Sequence, residues 1–193
     1  MSATSRRAPR GDRQEQILDA VLRLLAQHGI SGVSIRAVGR EAGVAPGLVG
    51  YYFPDKTELI GAALRRIEEQ DLALVTPGRA ASPEAALRAV LRRVVKPELL
   101  TTEYLSLRLQ LWSLAQAHPD FADINTVAQE RYRSGLADLI KAARPSLSRP
   151  ECNRRAADID VIQNGLWLTA LLGLDRASMR RAVARCEEIA LAP

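Results

Sequence analysis

Aromatic side chains are scarce in this 193-residue chain: two Trp, four Tyr and two Phe make up 4% of it. Val and Ile rarely alternate with polar residues, so the pattern of a half-buried strand is missing throughout. Cysteine is nearly absent. Cys152 and Cys186 are too few for a disulfide framework in a chain of this length. Their flanks, Glu-Cys-Asn and Arg-Cys-Glu, lack metal-ligand spacing, and His28 and His118 are the only histidines that could help. No metal and no cofactor is therefore expected. No HExxH motif or Ser/His/Asp grouping is present, which leaves an enzyme little to work with. No apolar stretch approaches the ~20 residues of a membrane span. The first dozen residues are basic and polar, unlike a signal peptide. The expected location is the cytoplasm.

What is present is Ala, Leu and Arg in abundance, which favours helix. Hydrophobic residues at 47% and charged residues at 25% are ordinary for a globular chain. The net charge is +5, and it is unevenly spread: residues 1–66 hold ten Lys/Arg against six Asp/Glu, and residues 67–193 hold 17 against 16. A basic first third on a near-neutral body is the footprint of a nucleic-acid-binding module. A general solubilising excess would give the same total, and charge alone does not choose between them.

The chain divides into helical segments by apolar period and punctuation. After a basic arm over residues 1–11, Ile17, Val21, Leu24 and Leu25 recur at helix spacing; Asp12 is placed to cap the start and Gly29 to stop it. Ser34 can cap a short second helix that Gly43 ends. Pro46 suits the first position of a third helix running to about Tyr52. Asp55, with Glu58 three residues on, opens a long fourth helix. Pro77–Gly78 and Ser82–Pro83 bound a linker, and five further helices follow, separated at Pro97, His118–Pro119, residues 144–150 and Gly173–Asp175. The expected fold is all-α with about nine helices. Residues 12–58 form a helix-turn-helix DNA-binding domain, and residues 59–193 a helical domain for ligand binding and dimerisation.

The stretch SIRAVGREAGVAPGLVGYYFPDK, residues 34–56, resembles the DNA-binding domain of TetR-type transcriptional regulators. The residues that carry the likeness are Ser34, Ile35, Ala42, Gly43, Val44, Gly47, Tyr51, Tyr52, Phe53, Lys56 and Leu59. Gly43 permits the tight turn between helices, and Val38, Val44 and Phe53 are sized for a small core. Gly47 removes a side chain where backbone must approach base edges. Ser34, at a helix N-terminus, can hold a phosphate as well as cap. The resemblance adds Lys56 as a phosphate contact, and Tyr51 and Tyr52 offer hydroxyls to the DNA backbone, although both rings could serve in packing and Lys56 could be a solvated charge. Arg36 lies on the outer face of the second helix, where solvent exposure and DNA contact are equally natural. Ala45 stands where the family usually has a Ser cap, a loss typically worth ~1 kcal/mol. Pro46 stands where many relatives have a polar reader, and Gly50 where Tyr is common. With Leu48 also apolar, base reading would rest on backbone approach, thymine methyls and DNA shape.

The eighth helix is apolar almost all round from Val161 to Leu174, so it needs cover on both sides. The resemblance implies a homodimer through the eighth and ninth helices, with Val161, Gly165, Leu168, Leu172 and Val183 at the interface. The C-terminal half also resembles the BetI-type subgroup of choline-responsive repressors. The resemblance runs through Leu111-Trp112, His118-Pro119, Arg131, Leu136 and Gly165-Leu166-Trp167-Leu168. A cavity among the sixth to eighth helices would be lined by Tyr104, Gln110, Trp112, Tyr132, Asn164 and Trp167. An aromatic cage of that kind suits a quaternary ammonium. Asn164 replaces the Asp that relatives usually have, which counts against a cation, and core packing of Trp112 and Trp167 is the plainer alternative. The expected function is a repressor that binds double-stranded operator DNA as a homodimer and is released by a small-molecule effector. A helical protein–protein adaptor, or a regulator with no ligand, would reuse the same fold.

Overall fold

The computed structural model describes residues 10–173 and 175–193; most of the expected basic arm lies outside them. Among the described residues there are nine α-helices and no strand: α1 (Arg10–Gly32), α2 (Ile35–Ala42), α3 (Pro46–Tyr52), α4 (Lys56–Leu74), α5 (Pro83–Arg93), α6 (Thr102–Ala117), α7 (Pro119–Ala143), α8 (Arg149–Leu171) and α9 (Arg176–Leu191). Helix α1 starts at Arg10, two residues before the expected cap, so Asp12 sits inside the first turn, where its charge favours the helix N-terminus. The expected stop at Gly29 is a break inside α1: Gly29 has φ 63 and ψ −168, outside helical geometry.

Side chains cap the starts of most of the helices. Ser34, Ser82 and Asp175 accept backbone N–H groups at the starts of α2, α5 and α9, and Thr101 and Ser148 do so for α6 and α8. Asp55 accepts the Glu58 N–H at 2.9 Å as α4 begins. Pro46, Pro83 and Pro119 occupy first-turn positions, where the missing N–H has no partner to lose.

The chain forms two compact units that divide between Arg65 and Arg66, inside α4. In the first, Ile17, Val21 and Leu25 of α1 are buried together with Val38, Val49, Phe53 and Leu59. In the second, α5, α7, α8 and α9 share a core containing Leu87, Leu91, Leu136, Ile140, Ile159, Cys186 and Ala190. A smaller cluster joins Val94, Leu105, Leu166, Trp167 and Val183. Both cysteines are buried and free, so they pack as small hydrophobes. Among the described residues no helix is long and apolar enough to cross a membrane.

Candidate functional site

The first unit presents a helix-turn-helix whose turn is closed by backbone. Gly43 takes the left-handed conformation, φ 63 and ψ 33, and its N–H returns to the carbonyls of Arg40 and Gly39. Gln16 of α1 donates to the Ala42 carbonyl at 2.7 Å, and Arg23 pairs with Glu41 at 2.7 Å, which ties α1 to α2. A second glycine is needed for space: a Cβ on Gly39 would lie 3.0 Å from the Val44 carbonyl and 3.3 Å from Pro46, both main chain. The sequence pattern singled out Gly43 and passed over Gly39, whose requirement is visible only when the turn folds back.

On α3, Val49 is buried, Leu48 is half-buried, and Ala45, Pro46, Gly47, Gly50 and Tyr51 are exposed. The space beyond Gly47 and Gly50 is open, so this face meets its surroundings as bare backbone. Tyr51 is 66% exposed, and its ring meets Tyr52 edge-on at 5.4 Å. Ser34 and Arg36 are exposed at the start of α2, with the Ser34 hydroxyl accepting the Ala37 N–H at 3.1 Å. Lys56 is exposed too, but its ammonium already donates to the Ile30 carbonyl at 2.8 Å, fastening the last turn of α1. Ala45 has the extended backbone of an N-cap, φ −64 and ψ 138, and no side-chain bond to offer. Ala45→Ser is therefore expected to stabilise the unit by about 1 kcal/mol, read as a higher urea midpoint at constant slope. An unchanged midpoint would show that Pro46 already supplies what the cap would add.

In the second unit, the end of α4 with α6, α7 and α8 lines a small cavity of about 50 Å³ that is partly open to solvent. Trp112, Tyr132, Asn164 and Trp167 line it as expected, and Asn125, Gln129, Glu68, Asp71, Arg108, Asp160 and Gln163 line it as well. Gln110 and Tyr104 are not among its lining residues. Tyr104 stands behind it, edge-on to Trp167 at 6.2 Å, and donates its hydroxyl to Asp71 at 2.6 Å. Trp167 is buried, and its indole N–H is spent on the Val94 carbonyl at 2.9 Å.

Arg108 is the centre of the arrangement. Its guanidinium lies 4.3 Å from the Trp167 ring centre and 5.6 Å from that of Trp112, and it forms an ion pair with Asp71. Burial pulls the guanidinium below its ordinary value, to about 10, and Tyr132, Asp160 and Glu68 counter part of that, so it stays charged at neutral pH. Burial pushes the hydroxyls of Tyr104 and Tyr132 upward, which keeps both as donors. Tyr132 donates to Gln163 Oε1 at 2.6 Å; Asp160 accepts Arg133 at 2.7 Å and Asn164 at 3.1 Å. Among the described residues, two buried side-chain donors have no acceptor: Arg108 Nε and Gln163 Nε2. Each such group typically costs ~1–3 kcal/mol.

The sequence reading missed Asp71, Arg108, Asp160 and Gln163. Spacing held the signal: Tyr104, Arg108 and Trp112 stand four apart on α6, and Asp160, Gln163, Asn164 and Trp167 share one face of α8. Of the residues expected at an interface, Val161, Gly165, Leu168 and Leu172 are exposed along α8, Val161 at 66% and Leu172 at 78%. Val183 is not with them. It is buried in the smaller cluster beside Leu166 and Trp167, because it lies on the side of α9, with Met179 and Ala182, that packs against that cluster.

Residues 17–63 match the family described as bacterial regulatory proteins, tetR family, and residues 83–191 match the C-terminal region of BetI-type transcriptional repressors. The HTH-type transcriptional regulator BetI of Burkholderia thailandensis is 32% identical over 164 residues, which cover 83% of this chain and 82% of that protein. A transcriptional regulator from Pseudomonas aeruginosa PAO1 superposes with a TM-score of 0.82 at 22% identity, over 95% of this chain and 90% of its own. A regulator from Saccharomonospora viridis, solved in complex with choline, superposes with a TM-score of 0.69 at 22% identity, over 92% and 95%.

Proposed function

Since the chain belongs to the tetR family of bacterial regulatory proteins, with a BetI-type C-terminal region, we propose that it acts as a homodimer on a palindromic operator and lets go when a small molecule enters the body cavity. Membership makes it a helix-turn-helix transcriptional regulator and not an enzyme. Its place of work is then the cytoplasm, with the DNA.

The observation that carries the reading is the division of labour between two exposed faces. On α3, Gly47 and Gly50 leave main chain open to a groove, beside the Ser34 terminus where N–H groups can meet a phosphate. Arg36, Tyr51, Tyr52 and Lys56 flank that surface as backbone contacts, while Ala45, Pro46, Gly47 and Leu48 face bases by shape and apolar contact. On α8, Val161, Leu168 and Leu172 with Gly165 between them form an apolar stripe at spacings of four, three and four, which suits a second copy of itself. Two heads would then meet half-sites about one helical turn, ~34 Å, apart or a multiple of it. Asp71 belongs to α4, which begins in the DNA-binding unit, and Arg108 and Tyr104 both hold it, so a guest that binds Arg108 would alter the hold on that helix.

A gel shift on the DNA upstream of the coding sequence tests the reading; failure to bind at low salt would sink it. Lys56→Ala is expected to weaken binding to all sequences alike and to lower the salt slope by about one. It should also cost up to about 1 kcal/mol of stability through the Ile30 carbonyl, which a thermal melt reads separately. An unchanged salt slope would remove Lys56 from the phosphate contacts.

A further inference from the structure

The cavity of the second unit has the rings for a cation and is already holding one. Arg108 covers the face of Trp167 and reaches Trp112, so the position a quaternary ammonium would take is filled by the protein's own guanidinium. Asp71 neutralises that guanidinium and pins it there. Around it the lining still carries Glu68 and Asp160, which would repel a free anion unless it displaced them. None of these acceptors reaches two of the donors in the wall. Arg108 Nε and Gln163 Nε2 are buried donors with nothing to donate to, and Gln163 is only 2% exposed. The carbonyl oxygen of Gln163 accepts the Tyr132 hydroxyl at 2.6 Å, which directs its amide nitrogen away from that partner. Entry is available: an open groove at the side shares Trp112, Asn125, Gln129 and Asn164 with the cavity.

Taking the cavity as the effector site of the proposed repressor, we infer that the effector is an uncharged molecule presenting a hydrogen-bond acceptor, such as a carbonyl oxygen, to Arg108 and Gln163, and that Arg108 keeps free quaternary ammonium ions out. Such a guest satisfies both orphan donors without breaking the Arg108–Asp71 pair, whereas a cation has to expel Arg108 from the rings first. Asn125, Gln129 and Asn164 then line the way in for the rest of the molecule.

Three probes of matched shape separate the chemistries: choline, tert-butylacetamide and the tert-butylacetate ion. Trp112 and Trp167 are the only two tryptophans of the chain and both line this cavity, so intrinsic fluorescence of the full-length protein reports on it directly. The amide is expected to give a saturable change at a concentration at least about tenfold below that of the other two. In Arg108→Met the order is expected to reverse, with choline binding first to the vacated rings. If that variant does not fold, Asp71→Asn with Arg108→Met removes both charges and is expected to lose the preference for the amide. Saturable binding of choline to the parent protein at or below the amide's concentration would overturn the inference, and so would no response to the amide up to its solubility limit. A parent protein that binds no operator in the parallel gel shift refutes the repressor reading and leaves the fluorescence order to decide the cavity's chemistry.

Discussion

Asp71→Ala is expected to destabilise the protein by about 3–5 kcal/mol, the usual result of leaving one member of a buried ion pair behind. Arg108 and Asp71 have side chains only 13% and 15% exposed, so the guanidinium is left largely desolvated when the carboxylate goes. The loss is larger than one pair. The Tyr104 hydroxyl, which donates to Asp71 at 2.6 Å, loses its acceptor, and Arg108 already lacks a partner at Nε. Against a total stability of ~5–15 kcal/mol this is a large fraction. For a chain of this length it should lower the melting temperature by roughly 6–20 °C. Adding Arg108→Met should restore most of it, since an apolar side chain among Trp112, Trp167 and Tyr104 has no charge to desolvate. The two single variants and the double form a cycle whose coupling should exceed about 1 kcal/mol. A single Asp71→Ala variant that melts within a degree of the parent would show that Arg108 is solvated some other way, and would remove the grounds for treating it as fixed on the rings.

Much of the fold was legible because its punctuation is local. Ser34, Gly43, Pro46, Asp55, Ser82, Pro119 and Asp175 act within three or four residues of themselves, and each does in the structure what its type suggests. The helix-turn-helix was legible for the same reason, except at Gly39, whose crowding against Val44 and Pro46 arises only when α3 folds back on α2. The cavity was half legible. Aromatic residues announced it, but the charges within it come from α4, α6 and α8 and are brought together only by packing. Arg108 in the run Tyr-Leu-Ser-Leu-Arg-Leu reads in isolation as a surface residue, and nothing nearby in sequence names Asp71 as its partner. Val183 goes the other way: an apolar residue on a helix expected to pair reads as interface, although the body itself has a place for it.

That misplacement sharpens what a dimer could be made of. The outer side of α9 carries Arg180, Arg181, Ala184, Arg185 and Glu188, all exposed, so it suits the charged rim of an interface and not its centre. The centre falls to α8, where Leu168 and Leu172 stand exposed on either side of one turn and Gly165 leaves room for a second helix to come close. Burying a Leu side chain is worth ~1.5–3 kcal/mol, and each change is felt twice in a symmetric pair. Leu168→Glu with Leu172→Glu replaces both by carboxylates that would meet their own copies across the axis. The expected result is a weakening of association by at least about 100-fold, roughly 3 kcal/mol. Light scattering at micromolar concentration should then report the monomer mass. Operator binding should vanish at the same concentration, because one head on one half-site keeps only part of the phosphate contacts. Circular dichroism should show the helix content of the parent, since both positions face outward in the single chain. A double variant that stays dimeric would move the interface off α8; one that is monomeric and still binds the full operator as tightly would show that pairing of the heads is not what secures the DNA.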